Sequence, residues 1–180
     1  MRSTPVRFRT HTSATAPRAA ADRLRELEDR HGHVGEMVAT MAGSPSMIAG
    51  YLDLSRAVKR TRLPRAVTER ISLAVQESLD CSLCLTAHTQ AALAAGVSVD
   101  ETELARLGTS ADPAVAPIVS FAQRVHTAPA SIVDADIDAL RTLGLADRDV
   151  LDIVALVSLN VLTGTFNLVA GLESDLAATA

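Results

Sequence analysis

The 180-residue chain is long enough for one domain with a full core, or for two small repeated halves. Its residues are 48% hydrophobic but only 2% aromatic, with no Trp, so a core must come from Ala, Val, Leu and Ile, which favours close-packed helices over a sheet. The net charge is −4 and no basic stripe is interleaved with aromatics, which argues against a nucleic-acid partner.

The start, MRSTPVRFRTHTSATAPRAAA, carries several arginines, has no acid before Asp22 and lacks the apolar run of a signal peptide. It reads as a loose polar arm over 1–16, followed by a single all-α domain over 17–180. PRAAADRLRELEDRHG opens on a proline, stops at Gly32 and spaces Leu24 and Leu27 as a helix does. SPSMIAGYLDLSRAVKR offers Ser44 as N-cap and Pro45 as first helical residue. LPRAVTERISLAVQESL repeats that start with Pro64, and Asp80 is then placed to cap a CxxC helix over 81–95 that Gly96 ends.

Further on, Ser98 and Glu101 have capping-box spacing in SVDETELARLG, and Asp112 is a cap for DPAVAPIVSFAQRVHTAP. SIVDADIDALRTLG starts on Ser131, and a final helix runs from about Asp147 to Val169 with Gly164 as a kink point. That last segment is the most apolar. Ser158, Asn160, Thr163 and Asn167 interrupt it, and Asp152 and Glu173 bracket it, so a buried helix fits better than a membrane span. No alternating strand is visible. About eight helices and an all-α, single-domain bundle are expected, in a cytoplasmic protein. LPRAVTERISLAVQES also superimposes without a gap on LADRDVLDIVALVSLN, a hint of a degenerate internal repeat in which Thr163 and Phe166 fall where Cys81 and Cys84 stand.

Both cysteines of the chain lie in ESLDCSLCLTAH, with His88 four residues after Cys84. On one helix Cys84 is about 60° from Cys81 and His88 about 40° beyond it, so thiol, thiol and imidazole form one stripe. Cysteines three apart on a helix are within disulfide reach, and such a bridge closes too small a loop to stabilise the chain. A helix N-terminus lowers a thiol pKa, which by geometry favours Cys81 as the more acidic of the two. Three readings compete: a zinc corner, a redox pair, or two small core residues. Zinc lacks a second CxxC or a distant HxxxH, although His31 and His33 are further imidazoles. A thioredoxin-like module lacks its βαβ pattern. His126 reads as a helix-end residue, and neither Asn160 nor Asn167 is assigned a catalytic part.

With ERISLAVQESLDCSLCLTAHTQAALAAG in view, the sequence resembles the alkyl hydroperoxidase D-like family of the carboxymuconolactone decarboxylase superfamily. Glu69 stands twelve residues before Cys81, and Cys81, Cys84 and His88 complete the family's four-point pattern. The resemblance implies a hydroperoxide substrate reduced by a Cys81/Cys84 dithiol–disulfide cycle, with Cys84 attacking, Cys81 resolving, and Glu69 and His88 relaying protons. It also implies an external dithiol reductant, a trimeric or hexameric homo-oligomer, and no metal or organic cofactor. The family's second histidine, between the cysteines, is Leu83 here. On one unbroken helix Glu69 and Cys81 are about 120° apart, so a break near Leu79–Asp80 must fold the glutamate back. The rival functions are a redox sensor or interaction protein without turnover, and a protein thiol-disulfide oxidoreductase.

Overall fold

The computed structural model describes residues 6–172, and among these there are nine α-helices and no strand. They are α1 (Arg18–His31), α2 (Glu36–Met41), α3 (Pro45–Val58), α4 (Arg65–Leu79), α5 (Ser82–Ala94), α6 (Val99–Arg106), α7 (Ala116–Thr127), α8 (Asp134–Thr142) and α9 (Asp147–Ala170). Residues 1–5 of the arm, and Glu173 with the rest of 173–180, lie outside the described residues.

Most starts and stops are those the residue types dictate. Ser44 Oγ accepts the Met47 N–H at 3.3 Å to open α3, and Gly32 closes α1 in the left-handed conformation. At α6 only half of the expected capping box forms. Ser98 Oγ accepts the Glu101 N–H at 3.2 Å, but the Glu101 carboxylate turns away to Arg70, Ser110 and Ala111. α8 starts three residues later than Ser131, because Asp136 accepts the Val133 N–H at 2.9 Å and fixes the first turn there. The helix that the sequence reading omitted is α2, too short to show an apolar period.

α4 and α9 are the central pair. One apolar cluster joins Ile71 and Val75 of α4 to Phe121 of α7, Leu140 of α8 and Ile153 of α9. A second packs Leu24, Met41 and Ile48 with Leu162 and Phe166 of α9. A third sets Leu73 against Ala92 and Ala105. Each fully buried Ile or Leu contributes about 1.5–3 kcal/mol, so aliphatic residues suffice without Trp. Length and apolarity alone would let α9 cross a bilayer, with a mean hydropathy of 1.8. Its inward face is spent on the contacts just named.

α9 is helical on both sides of Gly164. That glycine permits close approach: a Cβ there would meet the Gln76 side chain and lie 2.7 Å from Leu79 Cδ1. In the internal alignment α4 and α9 begin at equivalent positions, 65 and 147, but α9 runs unbroken through Leu162, where the first copy turns at Asp80. The N-terminal arm makes defined contacts from Arg7 onward. The Arg7 backbone N–H donates to Ala170 O at 2.9 Å, its guanidinium to Val169 O at 2.9 Å, and the His11 N–H to Ala39 O at 2.9 Å.

Glu101 is the more buried of two charged ties between α6 and α4, the other being Arg106 to Glu77 at 2.7 Å. It accepts from Arg70 Nη2 at 2.9 Å, Ser110 Oγ at 2.6 Å and the Ala111 N–H at 2.7 Å. The Ser110 hydroxyl foremost, then the Ala111 N–H and Arg70, hold its carboxyl below the ordinary glutamate value against the opposing effect of burial. Glu101→Gln is expected to cost about 3 kcal/mol near neutral pH, since it leaves Arg70 half-buried without its counter-charge. A depressed folded value means the stabilisation is present above the unfolded value and lost as pH falls. The gap between wild type and variant in urea melts should therefore narrow as pH falls below about 5, where the unfolded carboxyl begins to protonate; a gap that stays constant would refute the tie.

Candidate active site

The site is made by a reversal between α4 and α5. Asp80 takes the left-handed conformation at φ 56°, the one described non-glycine residue to do so, and the Cys81 N–H donates back to Gln76 O at 3.2 Å. This corrects the expectation that Asp80 is the N-cap of the cysteine helix. Reversing the chain requires one residue at positive φ, and a residue so placed cannot also adopt the extended geometry of an N-cap. The N-cap is Cys81, α5 starts at Ser82, and no side chain caps it.

The same reversal lays α5 along α4 and folds Glu69 back toward the thiols, as a break at Leu79–Asp80 requires. Glu69 Oε2 lies 2.8 Å from His88 Nδ1, with Arg65 Nε 3.5 Å from the other carboxylate oxygen. A carboxylate only accepts, so Nδ1 carries the proton and Nε2 is left for other work.

Cys81 and Cys84 are joined as a disulfide, their Cα atoms 5.3 Å apart. Among the described residues no three His, Cys, Asp or Glu side chains converge as metal ligands, and His31 and His33 sit at the end of α1, outside the cysteine site. The two thiols differ in surroundings. Cys81 is 1% and Cys84 5% exposed, but only Cys84 lines a cavity of about 890 Å³ beside the α4–α5 hairpin. Glu69 and His88 line it too, so the structure brings Cys84, His88 and Glu69 to one wall and sets Cys81 behind.

The opposite wall comes from α2 and α3 through Met37, Val38, Tyr51 and Val58, so the helix that sequence reading missed is part of the site. Burial pushes the Tyr51 phenol up, so it stays a neutral hydrogen-bond donor, with Ser55 opposing. Leu83, between the two cysteines, also lines the cavity and keeps that side apolar.

The residue not foreseen is Asn167. Its Nδ2 donates to Cys84 Sγ at 3.3 Å from α9. It belongs to a polar seam between α4 and α9: Gln76 Nε2 donates to Asn160 Oδ1 at 3.0 Å, and Asn160 Nδ2 donates to Ser72 Oγ at 3.0 Å. The seven-residue spacing of Asn160 and Asn167 was visible in sequence; which helix they would meet was not.

Residues 45–127, from α3 through α7, match the carboxymuconolactone decarboxylase family. Over that segment, less than half of its length, the chain is similar to this family. No curated protein matches it. Among solved structures, the fold is that of the alkylhydroperoxidase AhpD core of an uncharacterized peroxidase-related protein from Ralstonia eutropha JMP134, at a TM-score of 0.80 and 23% identity over 96% of this chain and 95% of that one. A peroxidase-related protein from Silicibacter sp. TM1040 superimposes at 0.68 with 20% identity, covering 84% of this chain and 81% of that one. The debrominase Bmp8, as a cysteine-to-alanine variant in complex with 2,3,4-tribromopyrrole, superimposes at 0.73 with 17% identity, over 99% and 97% of the two chains. The protein is thus all-α, with its cysteine pair linked and one sulfur toward a large cavity.

Proposed function

We propose that this protein reduces bulky organic hydroperoxides through a Cys81/Cys84 dithiol–disulfide cycle. The observation that carries the reading is that Cys84, the cavity-facing half of a linked pair, shares its wall with the Glu69–His88 pair. In the reduced protein the Cys84 thiolate attacks the terminal oxygen of R–O–O–H. The O–O bond breaks, Cys84 becomes the sulfenic acid, and the departing alkoxide takes the proton that His88 Nε2 took up from solvent when Cys84 ionised, while Glu69 keeps the Nδ1 proton and orients the ring. The Cys81 sulfur then attacks Cys84, a new S–S bond forms, and the hydroxyl leaves as water. A small external dithiol, entering through the cavity, restores both thiols by exchange.

A cavity of about 890 Å³ lined by Met37, Val58, Leu159 and other apolar side chains suits a drug-sized organic molecule better than hydrogen peroxide. Such a cavity favours a second reading as well. The same two electrons could remove a halogen from a bromoaromatic as bromide, leaving carbon–hydrogen and the disulfide. Because both sulfurs are buried, exchange with a protein disulfide is disfavoured.

The test is consumption of cumene hydroperoxide and tert-butyl hydroperoxide by reduced protein with excess small dithiol, beside 2,3,4-tribromopyrrole and insulin. Repeated turnover of the larger hydroperoxide is expected. One stoichiometric oxidation without turnover would make the protein a sensor, bromide release alone would make it a dehalogenase, and insulin reduction alone would make it an exchange enzyme. His88→Ala should slow peroxide turnover by about 10²-fold while leaving alkylation of Cys84 near its wild-type rate, because it removes the proton donor and not the nucleophile. Equal losses in both assays would place His88 in the fold instead.

A further inference from the structure

The geometry points to Asn167 as the positioning residue that holds the Cys84 sulfur in its ionised form: the side-chain N–H that donates to the disulfide also donates to the thiolate when the pair is reduced. This rests on the dithiol reading of the site. Among the described residues Asn167 is the only side chain that hydrogen-bonds either sulfur, at 3.3 Å. A disulfide sulfur can only accept, so the amide must present its nitrogen.

The contact is not explained by stability. Asn167 is 4% exposed and its Oδ1 has no partner, and a buried carbonyl left unpaired costs about 1–3 kcal/mol. What the site needs is a donor at sulfur. Cys84 is 5% exposed, and burial drives a thiol toward its neutral form, whereas a hydrogen bond to the charged form draws it back. Cys84 is the third residue of α5, so the open first turn of that helix acts in the same direction.

The placement of Asn167 is built into the pair of central helices. Asn160, Gly164 and Asn167 share one face of α9. Asn160 is pinned by Ser72 and Gln76, Gly164 lets the backbone close on α4, and Asn167 then reaches the sulfur one turn further on. The charged or titratable groups that share the cavity with Cys84 are Glu69 and Arg65 on α4, His88 on α5, Glu36 on α2, and Lys59 with Tyr51 from the α3 side. α9 contributes no charge there, so what it offers the sulfur is a neutral dipole.

The experiment uses Cys81→Ser, which leaves Cys84 as the sole cysteine of the full chain. Its thiolate is titrated by ultraviolet absorbance and by the pH profile of iodoacetamide alkylation, with and without Asn167→Leu. Loss of the amide is expected to raise the midpoint by about one pH unit, so alkylation below it slows about tenfold. An unchanged midpoint in the folded variant overturns the inference. If Asn167→Leu does not fold, the side-chain amide resonance of Asn167 in Cys81→Ser decides: it should shift with the midpoint of Cys84, and a resonance constant across that titration overturns the inference equally. A purely structural Asn167 would change the melting temperature and neither of these. No peroxide enters either measurement, so a protein that passes them yet turns over no hydroperoxide loses the proposed activity and keeps this contact.

Discussion

Cys84→Ser is expected to abolish reaction with cumene hydroperoxide, by about 10³-fold or more, whereas Cys81→Ser should still consume one equivalent and then stop. The asymmetry follows from access. Both residues are buried, but the cavity ends on Cys84, and Cys81 sits behind it at the N-cap. A nucleophile without a path to its electrophile contributes nothing, so loss of Cys84 removes the first step. Loss of Cys81 removes only the capture of the sulfenic acid, which then persists after one equivalent of peroxide. Without added thiol, wild type should end as the disulfide after one equivalent. Cys81→Ser should end as a sulfenic acid that dimedone traps at Cys84. Dimedone adduct at Cys81 in Cys84→Ser would reverse the assignment.

Gly164→Val should destabilise the fold by about 3 kcal/mol and uncouple the site in the same stroke. Valine has a slightly better helix propensity than glycine, by only a few tenths of a kcal/mol, so the local term offsets little of the packing loss. The packing term is large because the added Cβ meets Gln76 and Leu79, and Gln76 is completely buried and tied to Asn160. Gln76 cannot move without breaking the seam, and overpacking of this kind costs about 1–3 kcal/mol or more. With a urea slope of about 2 kcal/mol per molar, the midpoint should fall by roughly 1.5 M. Because Asn167 rides on the same face one turn further on, Cys84 alkylation should slow as well. A variant with wild-type stability would show that α4 and α9 are not as closely packed as the structure has them.

The helical character of the chain was legible because the signals are local. Ser44 before Pro45, Gly32 after a periodic run, and a core with few aromatics each act within a few residues of themselves. The spacing of Glu69, Cys81, Cys84 and His88 was equally local, and it sufficed to suggest the family. Asp80 was misread because its two local options, N-cap and left-handed C-terminal residue, differ only in which helix claims it. The packing of α5 on α4 made that choice. α2 was missed since six residues show less than two turns of pattern, and its one conspicuous effect, a wall of the cavity, depends on helices far along the chain.

By itself the sequence determined that this chain is all-α, that its two thiols lie within bonding reach, and that an imidazole and a carboxylate stand at helical distances from them. Those are properties of short stretches, and chain geometry propagates them without knowledge of the rest. Only the tertiary structure decided which sulfur meets the cavity, that Glu69 reaches His88, and that an amide 83 residues away donates to Cys84. These follow from how α9 crosses α4, which Gly164 and the buried Gln76–Asn160 pair set by close contact, and contacts between distant segments leave no periodic trace in either one.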